Sequence, residues 1–155
     1  MNREKQILYA AEQLFEQGNV GIIETVFALD YVAHEGDKTH KGQKFIAQFI
    51  RQLRTAIPDI KISRIENLCE TENIITWQRT LSGTHKKNIR GIPASQKKVR
   101  WNEIVVTRFE GKVIAEEWIV SNLPFQLLLN LTVVILGHPL NRSVLQWVRA
   151  IFQTL

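Results

Sequence analysis

The sequence predicts one α+β domain, in which a curved antiparallel sheet wraps on helices near the N-terminus. Apolar residues first recur at helical spacing, then alternate at strand spacing beyond Pro58, and return to a helical stretch after Asn122. Three helices followed by a run of strands are typical of α+β domains. The chain has 155 residues, of which 45% are hydrophobic and 23% are charged, as expected for one globular domain.

Three helices are predicted before Pro58. The first is amphipathic and can end at Gly18; its apolar positions are Ile7, Leu8, Ala11, Leu14 and Phe15. Asn19 can cap a short second helix that runs to Phe27, and a partly extended segment and a loop should follow it. Gly42 opens the third helix, and its inward positions are Phe45, Ile46, Phe49, Ile50 and Leu53. This helix must end before Pro58, because proline cannot continue a helix.

Four strands are predicted after Pro58. Ile60 and Ile62 begin the first strand. The next two alternate strictly, and the residues on one face are Ile75, Trp77, Arg79 and Leu81, then Trp101, Glu103, Val105 and Thr107. The last strand, Val113 to Val120, follows a turn at Glu110-Gly111, where glycine permits a positive φ angle.

Two more helical segments are predicted in the C-terminal part of the chain. The apolar stretch from Leu123 to Gly137 contains several polar residues and is too short for a bilayer, so we expect a buried helix. Residues 138–155 are predicted as a helical extension of the domain formed by residues 1–137. Their apolar stripe could fold back on the domain, contact another subunit or lie on a membrane surface.

Composition favours a cytoplasmic protein and argues against several partners. Cys69 is the single cysteine, which excludes an intrachain disulfide, and the N-terminus does not resemble a signal peptide. The net charge is +5, and basic residues crowd one predicted hairpin: Lys86, Lys87, Arg90, Lys97, Lys98 and Arg100. No aromatic residues interleave them, so we expect a solvated loop and neither a nucleic-acid nor a membrane partner.

Several motifs resemble the SnoaL-like polyketide cyclase (ester cyclase) family of the nuclear transport factor 2-like superfamily. They are Ala56-Ile57-Pro58-Asp59-Ile60, Gly83-Thr84-His85, Gly91-Ile92-Pro93 and the segment from Gly111 to Trp118. The resemblance covers residues 7–137. It implies a cone-shaped α+β barrel with a deep apolar cavity for a small hydrophobic or polyketide-like ligand. It also implies a homodimer formed through the outer sheet and chemistry that needs no cofactor.

The family's acid/base aspartate falls on Asn122, which lies four residues after Trp118. An amide can form hydrogen bonds but cannot transfer a proton near neutral pH. Alternation places Trp118, Val120 and Asn122 on one face, so Asn122 should lie near the cavity if Trp118 lines it. We therefore expect a ligand-binding protein that lacks the usual acid.

The alternative is a cofactor-independent polyketide cyclase, isomerase or hydrolase with another base. His34 could be that base or could be hydrogen-bonded structurally, and Glu103 could be a base or could pair with Arg79 or Arg108. The expected ligand-binding residues are Trp77, Trp101, Trp118 and His85. No metal site is expected, because the run from His34 to His40 matches no known arrangement of ligands.

Overall fold

A curled six-stranded sheet packs against helices in the computed structural model, which describes residues 2–136. The predicted extension at 138–155 lies outside the described residues. Helix α1 is Arg3–Ala11 and continues as a π-helical turn, Glu12–Glu16. A 3-10 turn, Val20–Ile22, leads into α2, Ile23–Val26. Asn19 caps the 3-10 turn by accepting a hydrogen bond from the Gly21 N–H. These elements confirm the first two predicted helices.

The segment before Gly42 is a hairpin and not the predicted loop. Strand β1 is Phe27–Glu35 and strand β2 is Lys38–Lys41. The two strands pair in antiparallel register from Val32↔Lys41 to Glu35↔Lys38. Between them Gly36 has a φ of 60°, which permits a tight turn without steric strain. The sequence obscured β2 because its four residues are all polar.

Helix α3 and the remaining strands follow the predicted order. Helix α3 is Gln43–Ala56, and the strands are β3 (Lys61–Glu70), β4 (Ile74–Thr84), β5 (Lys98–Glu110) and β6 (Val113–Ser121). The order across the sheet is β2-β1-β6-β5-β4-β3. Strands β1 and β6 run parallel, and Ala33 lies opposite Glu117. The sheet is therefore mixed, not wholly antiparallel, because the long connection through α3 and β3–β5 allows a parallel pair.

The inner face of the sheet carries the predicted core residues. The alternating sets of β4 and β5 are buried, including Trp77, Leu81, Trp101 and Val105. On the opposite face, Ile104, Trp118 and Val120 are exposed, and Ile104 lies opposite Val120 across β5 and β6. We call these three residues the outer-face patch.

Helix α4, Leu123–Leu136, closes one side of the fold. Leu123, Leu127 and Leu131 are buried, whereas Phe125 and Leu129 are exposed. The prediction of a helix is confirmed, but it is buried along one face and not all round. Within residues 2–136, no helix combines the length and the apolar character needed to cross a membrane.

Two of the family-like motifs meet at the far end of β4. The Asp59 carboxylate accepts hydrogen bonds from the Thr84 backbone N–H at 2.6 Å and from the Thr84 hydroxyl at 2.7 Å. These bonds lower the pKa of Asp59. The Lys86 N–H also donates to the Ala56 carbonyl. These hydrogen bonds between the two motifs therefore hold the end of α3 against the sheet.

Candidate functional site

A cavity of about 310 Å³ lies between the inner face of the sheet and helices α1, α3 and α4. Its walls are mainly aliphatic and aromatic, with contributions from residues such as Leu14, Phe15, Ile46, Phe49 and Leu127. The helices supply these residues at three- and four-residue spacing, and the strands supply every second residue. The sheet and helices thus enclose an apolar space with a small number of polar groups in its wall.

The first polar group is a buried ion pair between Arg79 and Glu103. Arg79 Nε donates to Glu103 Oε2 at 2.6 Å, and the guanidinium lies 4.1 Å from the ring centre of Phe15. The other carboxylate oxygen, Glu103 Oε1, accepts from Trp101 Nε1 and from the Ser121 hydroxyl, each at 3.1 Å. Of the two accounts of Glu103 left open by the sequence, the geometry matches the pairing with Arg79.

The second polar group contains Glu117, which sequence analysis missed. Its Oε2 accepts from the Tyr31 hydroxyl at 2.7 Å, and its Oε1 accepts from the Thr107 hydroxyl at 2.8 Å. Burial raises the pKa of Glu117 and also that of Tyr31. Glu117 lines the cavity together with Ile119 and Ser121. The signal in the sequence was the spacing of two residues between Glu117 and Ile119, which places this glutamate on the same face of β6 as an apolar residue.

A third polar group lies at a more exposed part of the cavity wall. Both Arg90 terminal nitrogens donate to the Glu35 carboxylate at 2.8 Å. His40 stacks on Phe45 with ring centres 4.1 Å apart, and its Nε2 has no hydrogen-bond partner among the described residues. The same part of the chain contains no convergent set of three histidine, cysteine or carboxylate side chains for a metal.

The structure corrects the expected placement of His34 and Trp118. Trp118 is 39% exposed and stacks on His34 on the outer face, with ring centres 5.1 Å apart. His34 Nε2 lies 2.7 Å from Glu116 Oε1, and neither His34 nor Trp118 lines the cavity. The grouping of Trp118 with Val120 on one face is right, but this face points away from the helices. The residues of β6 that face the cavity are instead Glu117, Ile119 and Ser121.

Asn122 also lies outside the cavity wall, because it shares the two-residue spacing of Trp118 and Val120, which face outward. Its side-chain oxygen accepts a hydrogen bond from the Asn102 backbone N–H. This amide therefore does not face the cavity. The structure does not bring Asn122 together with Glu103 or His34 at one site.

The remaining candidates divide between the cavity wall and the layer behind it. Trp77 and Glu103 line the cavity, whereas Trp101 and His85 do not. Trp101 is fully buried and directs its indole N–H to Glu103. His85 is also fully buried, and its Nδ1 accepts from the Ser95 N–H at 3.4 Å. Burial lowers the pKa of His85, which favours the neutral ring. Trp101 and His85 therefore make structural contacts behind the cavity wall.

Solved structures with this fold come from several bacteria. A candidate polyketide cyclase from Acidithiobacillus ferrooxidans has a TM-score of 0.73 at 17% identity, covering 85% of this chain and 99% of that one. AclR, a candidate hydroxylase from Streptomyces galilaeus, has a TM-score of 0.67 at 20% identity, covering 88% and 97%. IdmH, a candidate polyketide cyclase from Streptomyces antibioticus, has a TM-score of 0.68 at 16% identity, covering 84% and 99%.

These identities establish a shared fold only. No curated protein matches the sequence. The profile of the SnoaL-like polyketide cyclase family matches residues 5–126, which is most of the chain. The family-like motifs and the curled sheet around an apolar cavity agree with this match. The chain belongs to the SnoaL-like polyketide cyclase family.

Proposed function

We propose that this protein binds a small, predominantly apolar molecule, such as a polyketide, in the cavity between the sheet and the helices. The observation that carries the proposal is the cavity of about 310 Å³ with aliphatic and aromatic walls. Apolar pockets with a few fixed polar groups are typical of small-molecule sites. Membership in the SnoaL-like family supports a ligand of the polyketide class.

The paired charges in the wall disfavour an anionic ligand. Arg79 is neutralised by Glu103, and Arg90 is neutralised by Glu35. An anionic ligand would lose its hydration without gaining an unpaired cationic partner from Arg79 or Arg90, which is costly in an apolar site. A hydroxyl or carbonyl on the ligand can instead form hydrogen bonds with Tyr31 or Glu117, both of which line the cavity.

Catalysis by His34 is not part of this proposal, because its ring lies on the outer face beside Trp118. Catalysis by Glu103 is left out as well, since Arg79, Trp101 and Ser121 all donate to its carboxylate. Asn122 takes the place of the family's proton-transferring aspartate and acts in this proposal as a structural residue.

Two tryptophan substitutions on neighbouring residues test the proposed pocket. Ile119 lines the cavity and Val120 faces outward, so Ile119→Trp should fill the cavity whereas Val120→Trp should leave it open. We expect aromatic polyketides, steroids or terpenoids to raise the melting temperature of wild type and Val120→Trp but not of Ile119→Trp. A panel that stabilises none of the three proteins, or all three equally, would contradict ligand binding in this cavity.

We further propose that two copies pair through the outer-face patch. Ile104, Trp118 and Val120 are 45%, 39% and 71% exposed, and they lie on neighbouring strands. Contiguous apolar surface of this kind is typical of interaction sites. Light scattering should give a dimer for wild type and a monomer for Val120→Glu. Leu29→Glu, at an exposed leucine on β1, should remain a dimer; a monomeric wild type would remove the proposal.

A further inference from the structure

The hydrogen bonds around Glu117 have a fixed direction. The Trp77 indole N–H can only donate, and it donates to the Thr107 hydroxyl oxygen at 2.9 Å. Thr107 is fully buried, so its own proton is directed to Glu117 Oε1, 2.8 Å away. Oε1 is therefore an acceptor in either protonation state. The geometry therefore favours Oε2 as the site of a proton taken up by Glu117.

Tyr31 is the hydrogen-bond partner of that second oxygen, at 2.7 Å. When Glu117 is ionised, the Tyr31 hydroxyl donates to Oε2. When Glu117 is protonated, Oε2 can donate to the Tyr31 oxygen, and the phenolic proton is then free to rotate. Both side chains line the cavity, so the released hydroxyl can donate to a bound molecule. Protonation of the carboxylate thus creates a donor inside the cavity.

We propose that Glu117 and Tyr31 form an acid–base pair that removes a proton from, and returns it to, a carbon next to a carbonyl group of a bound neutral ketone. The carbon–hydrogen bond breaks, and its proton moves to Glu117 Oε2. The electron pair moves onto the carbonyl oxygen, which becomes an enolate and accepts the freed Tyr31 proton as a hydrogen bond. Return of the proton to carbon restores Glu117, so the cycle needs no further reactant.

The surroundings of Glu117 suit this role. Burial raises its pKa, which makes the ionised carboxylate a stronger base than an exposed one. The buried ion pair nearby acts in both directions: the positive charge of Arg79 lowers the pKa of Glu117 and of Tyr31, and the negative charge of Glu103 raises the pKa of Glu117. Among the described residues, no lysine or arginine bonds to Glu117 directly. This inference rests on the proposed function, because it needs a ligand in the cavity.

Hydrogen–deuterium exchange of 2-tetralone, an enolisable aromatic ketone, tests the proposal. Binding is measured first by titration, and loss of the α-proton signal in deuterated buffer is then followed by NMR. We expect wild type to accelerate exchange and Glu117→Gln to lower the acceleration by about 100-fold, a usual size for general acid–base catalysis. Glu116→Gln is the matched control, since the same change is made one residue away on the outer face, and it should retain the rate.

The outcomes separate the two proposals. Bound tetralone that exchanges no faster than in buffer, or equally fast with Glu117→Gln, overturns the acid–base pair and leaves ligand binding intact. Failure of tetralone and the wider panel to bind contradicts the proposed function and the inference with it.

Tyr31→Phe tests the coupling of Tyr31 to Glu117 through the pH profile of the exchange reaction. The hydrogen bond from Tyr31 favours the ionised carboxylate, so its removal should raise the pKa of Glu117. The acidic limb of the exchange profile should therefore move to higher pH, and the ¹³C signal of the Glu117 carboxyl should titrate with the same shift in the absence of ligand. If the titration midpoint of the Glu117 carboxyl is the same in Tyr31→Phe as in wild type, the proposed pairing of Tyr31 with Glu117 is overturned.

Discussion

The side-chain oxygen of Asn122 accepts a hydrogen bond from the backbone N–H of Asn102 at 2.8 Å. The Asn122 N–H in turn donates to the Asn102 carbonyl, and the Gln126 N–H donates to the Asn122 carbonyl. Asn122 therefore joins the end of β6, its neighbour β5 and the first turn of α4. The Asn122 side chain and backbone thus make a structural connection.

Asn122→Asp should consequently not create proton-transfer activity. A carboxylate can accept the same bond from Asn102, so we expect the free energy of unfolding to change by less than about 1 kcal/mol. Asn122→Leu removes the acceptor of this exposed bond and should cost about 0.5–1.5 kcal/mol. Urea unfolding measures both changes, and the tetralone assay measures activity. Faster exchange in Asn122→Asp than in wild type would contradict this placement of the side chain.

Glu103→Gln should be strongly destabilising. The substitution leaves the buried Arg79 guanidinium without its counter-charge, and breaking a buried ion pair in this way costs about 3–5 kcal/mol. Urea unfolding of Arg79→Met, Glu103→Leu and the double variant measures the coupling, and the double variant should lose less than the sum of the single losses. Additive losses would show that the pair contributes no coupling.

Stability should fall in mildly acidic solution because of His85. Its pKa in the folded protein is lowered by burial, whereas an unfolded histidine has a pKa of about 6.5. The unfolded chain therefore binds more protons, so this contribution is complete above pH 6.5 or so and decreases as the pH falls toward the folded pKa. His85→Asn keeps an acceptor for Ser95 N–H but removes the titration. The difference between the melting temperatures at pH 7 and pH 5 should be smaller in this variant than in wild type. An equal difference in both proteins would contradict the prediction.

Gly83→Ala should destabilise the end of β4. A Cβ atom at position 83 would lie 2.3 Å from Cγ2 of Ile57, which is too close for two carbon atoms. Overpacking of a core typically costs about 1–3 kcal/mol. Ile57→Leu removes the methyl group from the β-carbon, so adding it to Gly83→Ala should recover part of the loss in chemical denaturation. No loss in the single variant would show that the backbone yields at this point.

The sequence predicted most helices and strands because apolar spacing reports directly on burial. Ile75, Trp77, Leu81 and Val105 face the core as their alternation requires. The face of β6 was harder to assign, since both of its sets contain apolar and charged residues. Choosing Trp118 as the inward residue reversed the face and hid Glu117. A tryptophan covered by a histidine ring can lie outside the core, and no spacing rule reveals such a neighbour.

The polar network was beyond the reach of sequence alone for a different reason. Tyr31 and Glu117 are 86 positions apart and meet only because β1 and β6 run side by side. A local sequence pattern does not say which residues of two distant strands lie opposite each other. The resemblance to a known family supplied the fold and the presence of a cavity, but not which carboxylate enters it.

The parallel pairing of β1 with β6 also has a consequence for the order of folding. Contacts between residues far apart in the chain form slowly, because a long loop must close before they stabilise anything. The hairpins of β3, β4 and β5 can assemble early, whereas β1 must wait until the last strand of the sheet has been synthesised. A nascent chain that stops before β6 therefore has no closed cavity and no Glu117. Any capacity to hold a ligand or move its proton should appear only as a late event in the maturation of the polypeptide.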